Sequence, residues 1–303
     1  MPELPEVETV RTALAPVVTG QQIRSVRLMR SDLRWPLPKG LAEILTGQIC
    51  GMPWRRGKYI LLPLSGQQTL LIHLGMSGAI RIYDSRPESF GKHDHFSVEL
   101  ANNSWFVFSD PRRFGHIDLL QSGNEAAHPL LAAMGVEPLS NAFSEQYLDA
   151  VFAGRKQPIK TALLDQRLIA GLGNIYVSEA LFEARISPRR QAGNVVGKRA
   201  QRLVPAIRNV LNAAIEQGGT SLRDHVQPGG EIGYFVQHLQ VYGRGGEACS
   251  GRGGASGWSG AGGGGGGGSG GADEGAITRA STTAQAVPAS RRRLIGARFA
   301  GRD

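Results

Sequence analysis

The sequence predicts an α+β chain: a β-rich N-terminal half, read as an antiparallel sandwich or barrel, then a helical C-terminal half. Three observations predict it. Between residues 23 and 120, short runs rich in β-branched and aromatic residues alternate with Gly, Pro, Asn and Ser signals. From residue 144 the apolar residues recur at three- and four-residue spacing, the period of helices with one buried face. From residue 249 that patterning stops, and 17 of the chain's 42 glycines crowd into the remaining stretch.

The elements follow in order. Leu4, Val7, Val10 and Leu14 share one helical face, which predicts a helix over 3–15 with Pro2 and Pro5 near its start. Strands are predicted at Ile23–Leu28, Tyr59–Leu64, Thr69–Leu74, Ala79–Tyr83, His95–Leu100, Trp105–Ser109 and His116–Leu120. Ser65-Gly66 and Asn102-Asn103 supply turn chemistry between them. The character switches around Met134-Gly135-Val136-Glu137-Pro138. Ser144 is a natural N-cap for a helix over Glu145–Phe152, and Pro158 opens another that ends near Gly171. Tyr176–Ala184 and Val196–Gln217 complete the helical half, with Gly218-Gly219 as the stop. The expected divisions are 1–135, 136–248 and a tail of 249–303. That tail buries too little apolar surface to offset its ordering entropy, so disorder is expected there.

With 34 Lys and Arg against 25 Asp and Glu, the chain carries a net charge of +9, which favours a polyanionic partner. Of that charge, +4 lies in the tail, so the body is only mildly basic. Two cysteines, Cys50 and Cys249, exclude a disulfide framework. No apolar run approaches the length of a membrane span, and the expected location is cytoplasmic.

The first residues carry the most chemistry. Pro2 predicts removal of Met1, which would leave a free secondary amine beside the Glu3 carboxyl. An α-amino group titrates near pH 8, so a sizeable neutral, nucleophilic fraction exists at pH 7. Amines attack carbon next to a sugar oxygen to give Schiff bases, and an adjacent carboxyl can move the protons. The same residues also suit an ordinary helix start, with Pro in the first turn and Glu near the positive dipole end.

Other segments read as interaction loops. Lys58, in Arg55-Arg56-Gly57-Lys58-Tyr59, either meets a phosphate or moves a proton, or belongs to a solvated basic loop. His73-Leu74-Gly75-Met76-Ser77-Gly78 forms a sharp turn that either projects Met76 or tucks it into a core. His93 and His95 fall at i, i+2, a spacing that would share one strand face; phosphate contact by histidine is favoured there over metal binding. Asp110-Pro111-Arg112-Arg113-Phe114-Gly115 places arginines and an aromatic ring on a loop suited to a nucleic-acid groove. Gly171-Leu172-Gly173-Asn174 is a Gly-rich turn opening a helix, a natural phosphate site, with Arg155, Lys156 and Lys160 upstream.

Together with Pro2–Thr9, Glu216–Thr220 and Gln240–Arg244, these segments resemble the formamidopyrimidine-DNA glycosylase family, in the family's order, from Pro2 to about Glu247. The resemblance implies a β-sandwich, a helix–two-turn–helix domain and a zinc-finger hairpin, with DNA in the cleft between. It implies a DNA repair glycosylase and abasic-site lyase acting on oxidised purines in damaged double-stranded DNA, as a monomer. Pro2 would attack C1′, Glu3 would shuttle protons at the sugar, and Lys58 would assist β-elimination. Met76, Arg112 and Phe114 would fill the space left by a flipped nucleotide, with Arg112 facing the unpaired cytosine. His73, His93, Arg112, Arg155, Lys160 and Asn174 would contact DNA.

The departure lies at the C-terminus. Where the family has a four-cysteine finger, Cys249 is followed by Arg252 in place of the second cysteine, and no later cysteine exists. Zinc is thus expected from the family but not from these residues, since a structural site needs four ligands. The Gly, Ala and Arg content suggests an out-of-frame reading of a GC-rich gene; a reading frame confirmed by resequencing through Gly262–Gly268 would refute this. Two alternatives follow: a damaged-DNA-binding protein with weak turnover, or an endonuclease VIII-like enzyme preferring oxidised pyrimidines.

Overall fold

The computed structural model describes residues 1–220 and 234–245. The tail beyond them, with Cys249, lies outside the described residues, so its expected disorder and the finger question are not addressed by the fold.

The N-terminal half is a sandwich of two four-stranded antiparallel sheets. One holds β1 (Ile23–Leu28), β5 (Ala79–Tyr83), β6 (Asp94–Leu100) and β7 (Trp105–Ser109) in the order β1-β6-β7-β5. The other holds β2 (Trp54–Arg56), β3 (Tyr59–Leu64), β4 (Gln68–His73) and β8 (His116–Gln121) in sequence order. Between them lie Ile60, Leu62, Leu70, Ile72, Ile80, Phe96, Phe106 and Phe108, all fully buried. Alternation along each strand sends these residues inward, as expected of a sandwich.

Two short elements were not legible. Strand β2 has only three residues, too few for alternation to show. Helix α2 (Leu41–Leu45) packs Leu41 and Leu45 against the sandwich and is a single turn and a half.

Helix α1 (Leu4–Val18) runs three residues past its expected end, through Pro16. Burial of Val18 offsets the hydrogen bond that proline removes. Its apolar stripe is divided. Val7, Val10, Leu14 and Val18 enter the sandwich core, whereas Leu4 belongs to the core of the helical half. The first turn of α1 therefore sits where the two cores meet.

Helix α3 (Pro129–Ala132) packs Leu131 against Leu61, Leu71 and Leu120 of the second sheet, and the helical half contains α4 (Glu145–Phe152), α5 (Ile159–Leu164), α6 (Asn174–Glu183) and α7 (Ala200–Glu216). Ser144 caps α4 as expected, its Oγ accepting from the Tyr147 N–H at 3.2 Å. Helix α5 stops at Leu164, seven residues before the expected Gly171. Asp165 ends it, accepting from the Arg167 N–H at 3.0 Å, and local carboxylate bonds of this kind compete with helix continuation. Gln166 then braces the following turn, accepting from the Gly171 N–H at 2.9 Å and donating to the Leu172 carbonyl at 2.8 Å. The last helix starts at Ala200 rather than Val196, because Gly197 has a φ of +56°.

A candidate active site at the first turn of the N-terminal helix

The site is built on backbone contact. The Leu4 N–H donates to the Gly171 carbonyl at 3.0 Å, which seats the first turn of α1 on the turn before α6. Gly173 permits the approach: a Cβ there would lie 2.3 Å from Glu3 Cδ. No other residue leaves room for that carboxyl. Glu3 Oε1 accepts from the Ile175 N–H at 3.0 Å, at the positive end of α6. The expected phosphate site at this helix start is thus partly taken by the chain's own carboxylate, while the Asn174 side chain remains exposed beside it.

Glu3 is 3% exposed and its Oε2 has no hydrogen-bond partner among the described residues. Burial is the main cause that lifts its pKa from 4.5 to about 7, opposed by the nearby Lys58 charge and by the α6 backbone, and reinforced by Glu6. At neutral pH its protonated and ionised forms are about equally populated, the condition for a group that gives and takes protons. Pro2 is buried directly beside it.

Lys58 is 7% exposed, so the solvated-loop alternative falls. Burial holds its pKa below the ordinary lysine value, against the attraction of Glu3 and Glu6. The turn that carries it is clamped by a residue the sequence did not mark. Glu137, after the sandwich, accepts from the Gly57 N–H at 2.5 Å and pairs with Arg55 at 2.9 Å and Arg56 at 3.2 Å.

Glu6 was also missed, although it is the densest polar node. It is 2% exposed. Its Oε2 accepts the Glu3 N–H at 2.8 Å. Its Oε1 accepts the Thr220 N–H and hydroxyl, each at 2.8 Å, and the Tyr176 hydroxyl. One carboxylate thereby fixes the Pro2–Glu3 peptide against α6 and the segment after α7. The capping-box pattern Glu3-x-x-Glu6 was the available signal, but it reads as ordinary helix chemistry.

A second group of residues lies at one end of the sandwich. Met76 is 38% exposed, so its core alternative falls, and Phe114 is 41% exposed. Gly75, at φ +63°, packs its backbone on that of Phe114 and Gly115, where a Cβ would come within 2.3 Å. Asp110 fastens the two turns: one carboxylate oxygen accepts from Ser77 Oγ at 2.6 Å and the Arg112 N–H at 3.3 Å, the other from the Gly115 N–H at 2.7 Å. The Arg112 guanidinium lies 5.3 Å from the Phe114 ring centroid.

His73 ends β4, opposite Tyr59 and one residue from Lys58 in the pairing register. Burial, with Lys58 next, brings its pKa down to about 4, so it is neutral at pH 7. Nδ1 accepts the Gly75 N–H at 3.1 Å, which leaves Nε2–H as a donor. His93 is exposed just before β6, and its carbonyl accepts the Asp110 N–H at 2.9 Å. The expected shared face of His93 and His95 is absent. His95 is 3% exposed and its Nε2 pairs with the Asp110 carbonyl at 2.9 Å, because the strand bulges between Asp94 and Phe96. Arg155 and Lys160 lie elsewhere, on the α4–α5 connection and in α5; no described contact joins them to Glu3 or Lys58.

A four-thiolate zinc site does not fit this chain. Its two cysteines are Cys249 and Cys50, and Cys50 sits in the sandwich core at 1% exposure. Among the described residues no group of three or more His, Cys, Asp or Glu could hold a metal ion. No helix among them is long and apolar enough to cross a membrane.

Comparison with known proteins places this geometry. Residues 1–117 match the family profile for the formamidopyrimidine-DNA glycosylase N-terminal domain, and residues 134–226 match that family's H2TH domain. The chain is 52% identical to the formamidopyrimidine-DNA glycosylase of Ruegeria pomeroyi, over 85% of this chain and 93% of that protein. It is 50% identical to the enzyme of the same name from Azorhizobium caulinodans, over 82% and 91%. Among solved structures, the MutM (Fpg) protein of Thermus thermophilus is 41% identical with a TM-score of 0.73, covering 82% of this chain and 90% of that one. Lactococcus lactis Fpg (MutM) in complex with DNA containing N7-benzyl-Fapy-dG is 33% identical with a TM-score of 0.74, covering 82% and 91%. A MutM complex with DNA containing carbocyclic 8-oxo-G is 34% identical at the same TM-score, with the same coverage. The chain belongs to the formamidopyrimidine-DNA glycosylase family.

Proposed function

We propose that this protein excises oxidised purines from double-stranded DNA and cleaves the strand at the resulting abasic site. The observation that carries the reading is the buried Glu3 carboxyl, next to Pro2 in the chain and within the field of the buried Lys58, with its pKa near 7.

The chemistry runs on the N-terminus once Met1 is removed. The Pro2 secondary amine attacks C1′ as the bond from C1′ to the base breaks; the base leaves with its electron pair and takes up a proton. Protonated Glu3 gives its proton to the sugar ring oxygen, the ring opens, and C1′ and Pro2 form an iminium. Loss of a C2′ proton then expels the 3′ phosphate, with Lys58 taking the proton or steadying the phosphate. Water finally hydrolyses the iminium and frees Pro2.

Base excision requires the nucleotide out of the stack, which costs a few kcal/mol. Met76, Arg112 and Phe114 stand exposed together and fill the gap, Arg112 towards the orphaned base. His73 Nε2–H, His93, Asn174, Arg155 and Lys160 bind phosphates. The working division is residues 1–135 for chemistry and 136–248 for DNA binding, supported by the two separate cores. The protein works as a monomer in the cytoplasm, on DNA.

Side-by-side nicking of duplexes containing 8-oxoguanine opposite cytosine, or thymine glycol, tests the substrate. Faster cleavage at 8-oxoguanine is expected. A clear preference for thymine glycol overturns the purine reading, and tight binding with no cleavage of either overturns the enzyme.

A further inference from the structure

We propose that Arg34, held on the Trp35 ring, is an additional DNA-phosphate contact of this site; the proposal rests on the DNA-repair reading above.

The loop between β1 and α2 is built to present these two residues. Leu33 and Leu37 are anchored in the sandwich core at 7% and 8% exposure. Between them, Leu33 N–H donates to the Trp35 carbonyl at 2.9 Å, and Leu37 N–H to the Ser31 carbonyl at 2.9 Å. Arg34 and Trp35 project from this closed loop, with Trp35 45% exposed. An exposed tryptophan offers a large π face on which a cation can rest.

It supports a cation. The Arg34 guanidinium carbon lies 4.7 Å from the Trp35 ring centroid, and the other edge of that ring meets His116 at 4.8 Å and 77°. The loop is also tied to the wedge turn, since Arg34 N–H donates to the Gly115 carbonyl at 3.4 Å. Stacking and tethering together restrict the side chain before any ligand arrives, which lowers the entropy lost on binding.

Among the described residues the charge is not neutralised. The nearest acid in its loop, Asp32, is paired with Arg30 at 2.9 Å, and among the described residues Arg34 makes no ion pair. The acids nearby are already engaged: Asp110 accepts from Ser77, Arg112 N–H and Gly115 N–H, and Asp118 lies 3.4 Å from both His116 and His128. Its field is felt at His73, His116 and Tyr59, beside Lys58 and the Met76 turn, and Arg112 and Arg113 lie on the loop it touches. Arg34, Arg112 and Arg113, exposed together and without a described ion pair, call for a polyanion. A planar guanidinium with its donors free suits a phosphate.

The test is the salt dependence of duplex binding, on both undamaged and 8-oxoguanine DNA, for the full-length protein and Arg34→Ala, Arg34→Lys and Trp35→Leu. One lost phosphate contact lowers the slope of log K against log salt by about 0.9. The ratio of wild-type to Arg34→Ala affinity should therefore fall about threefold between 50 and 200 mM salt. Arg34→Lys should keep the wild-type slope, and Trp35→Leu should weaken binding with the slope unchanged. Borohydride trapping of the wild type on the 8-oxoguanine duplex is measured in parallel. An Arg34→Ala slope equal to wild type overturns the proposal. Absence of trapping in the wild type overturns the repair reading alone, because the slopes are still measured on undamaged DNA.

Discussion

Replacing Glu3 with Gln should stabilise the protein while abolishing base excision, and the gain should depend on pH. Glu3 ionises with a pKa near 4.5 when the chain is unfolded and about 7 when folded. Below pH 4.5 both states hold the proton and burial carries no ionic penalty. As pH rises from 4.5 to 7 the unfolded state loses its proton first, so folding loses stability; above 7 the penalty is complete. Gln has no such penalty, and its carbonyl can keep the bond from Ile175. Its amide hydrogens take the place of Oε2, which has no partner in either case. Lys58 retains Glu6 as a buried counter-charge. The gain for Glu3→Gln is then about 1 kcal/mol at pH 5 and about 3 kcal/mol at pH 8. Urea unfolding of both proteins at the two pH values, with excision of 8-oxoguanine measured in parallel, provides the comparison. A difference that stays constant from pH 5 to pH 8, or a variant that is less stable at pH 8, would refute the reasoning.

Other outcomes follow from the same contacts. Gly173→Ala drives a Cβ into Glu3; a displacement near 1 Å should lower excision by about 100-fold with helix content unchanged by circular dichroism. Glu137→Ala leaves the Gly57 N–H without its acceptor and removes one ion pair each from Arg55, which keeps Glu8, and Arg56, which keeps the Met134 and Gly135 carbonyls; it should destabilise the fold by about 2 kcal/mol in urea and slow strand cleavage at preformed abasic sites. Asp110→Asn loses one acceptor between the two wedge turns; excision from duplex should fall while cleavage of abasic single strands persists. The Cys50 thiol, pushed up to about 12 by burial, should resist thiol reagents until the protein is unfolded in denaturant.

Local chemistry was legible where one residue type has one physical use. Strand alternation placed β1, β3, β5 and β7 to the residue, and Ser144 marked α4 because an N-cap needs a short side-chain acceptor. Pro2 and Glu3 fit an ordinary helix start and Lys58 an ordinary basic loop, so it was the order of the segments along the chain, rather than local chemistry, that singled them out. What stayed hidden depends on long-range contact. Glu6, Glu137 and Asp110 look like ordinary surface acids in sequence. They become structural only when Thr220, Gly57 and Ser77 arrive from far along the chain. The end of α5 was missed for a related reason: Asp165 and Gln166 turn their side chains back on the backbone, which apolar periodicity does not register.

The central claim is that catalysis runs through a Schiff base on Pro2. Borohydride reduction during reaction with 8-oxoguanine duplex, followed by proteolysis and mass spectrometry, reads it directly. The account predicts DNA-derived mass on the N-terminal peptide, attached to a Pro2 that lacks Met1, and its loss in Pro2→Gly. An adduct on a lysine, or one formed on a chain that retains Met1, would contradict it.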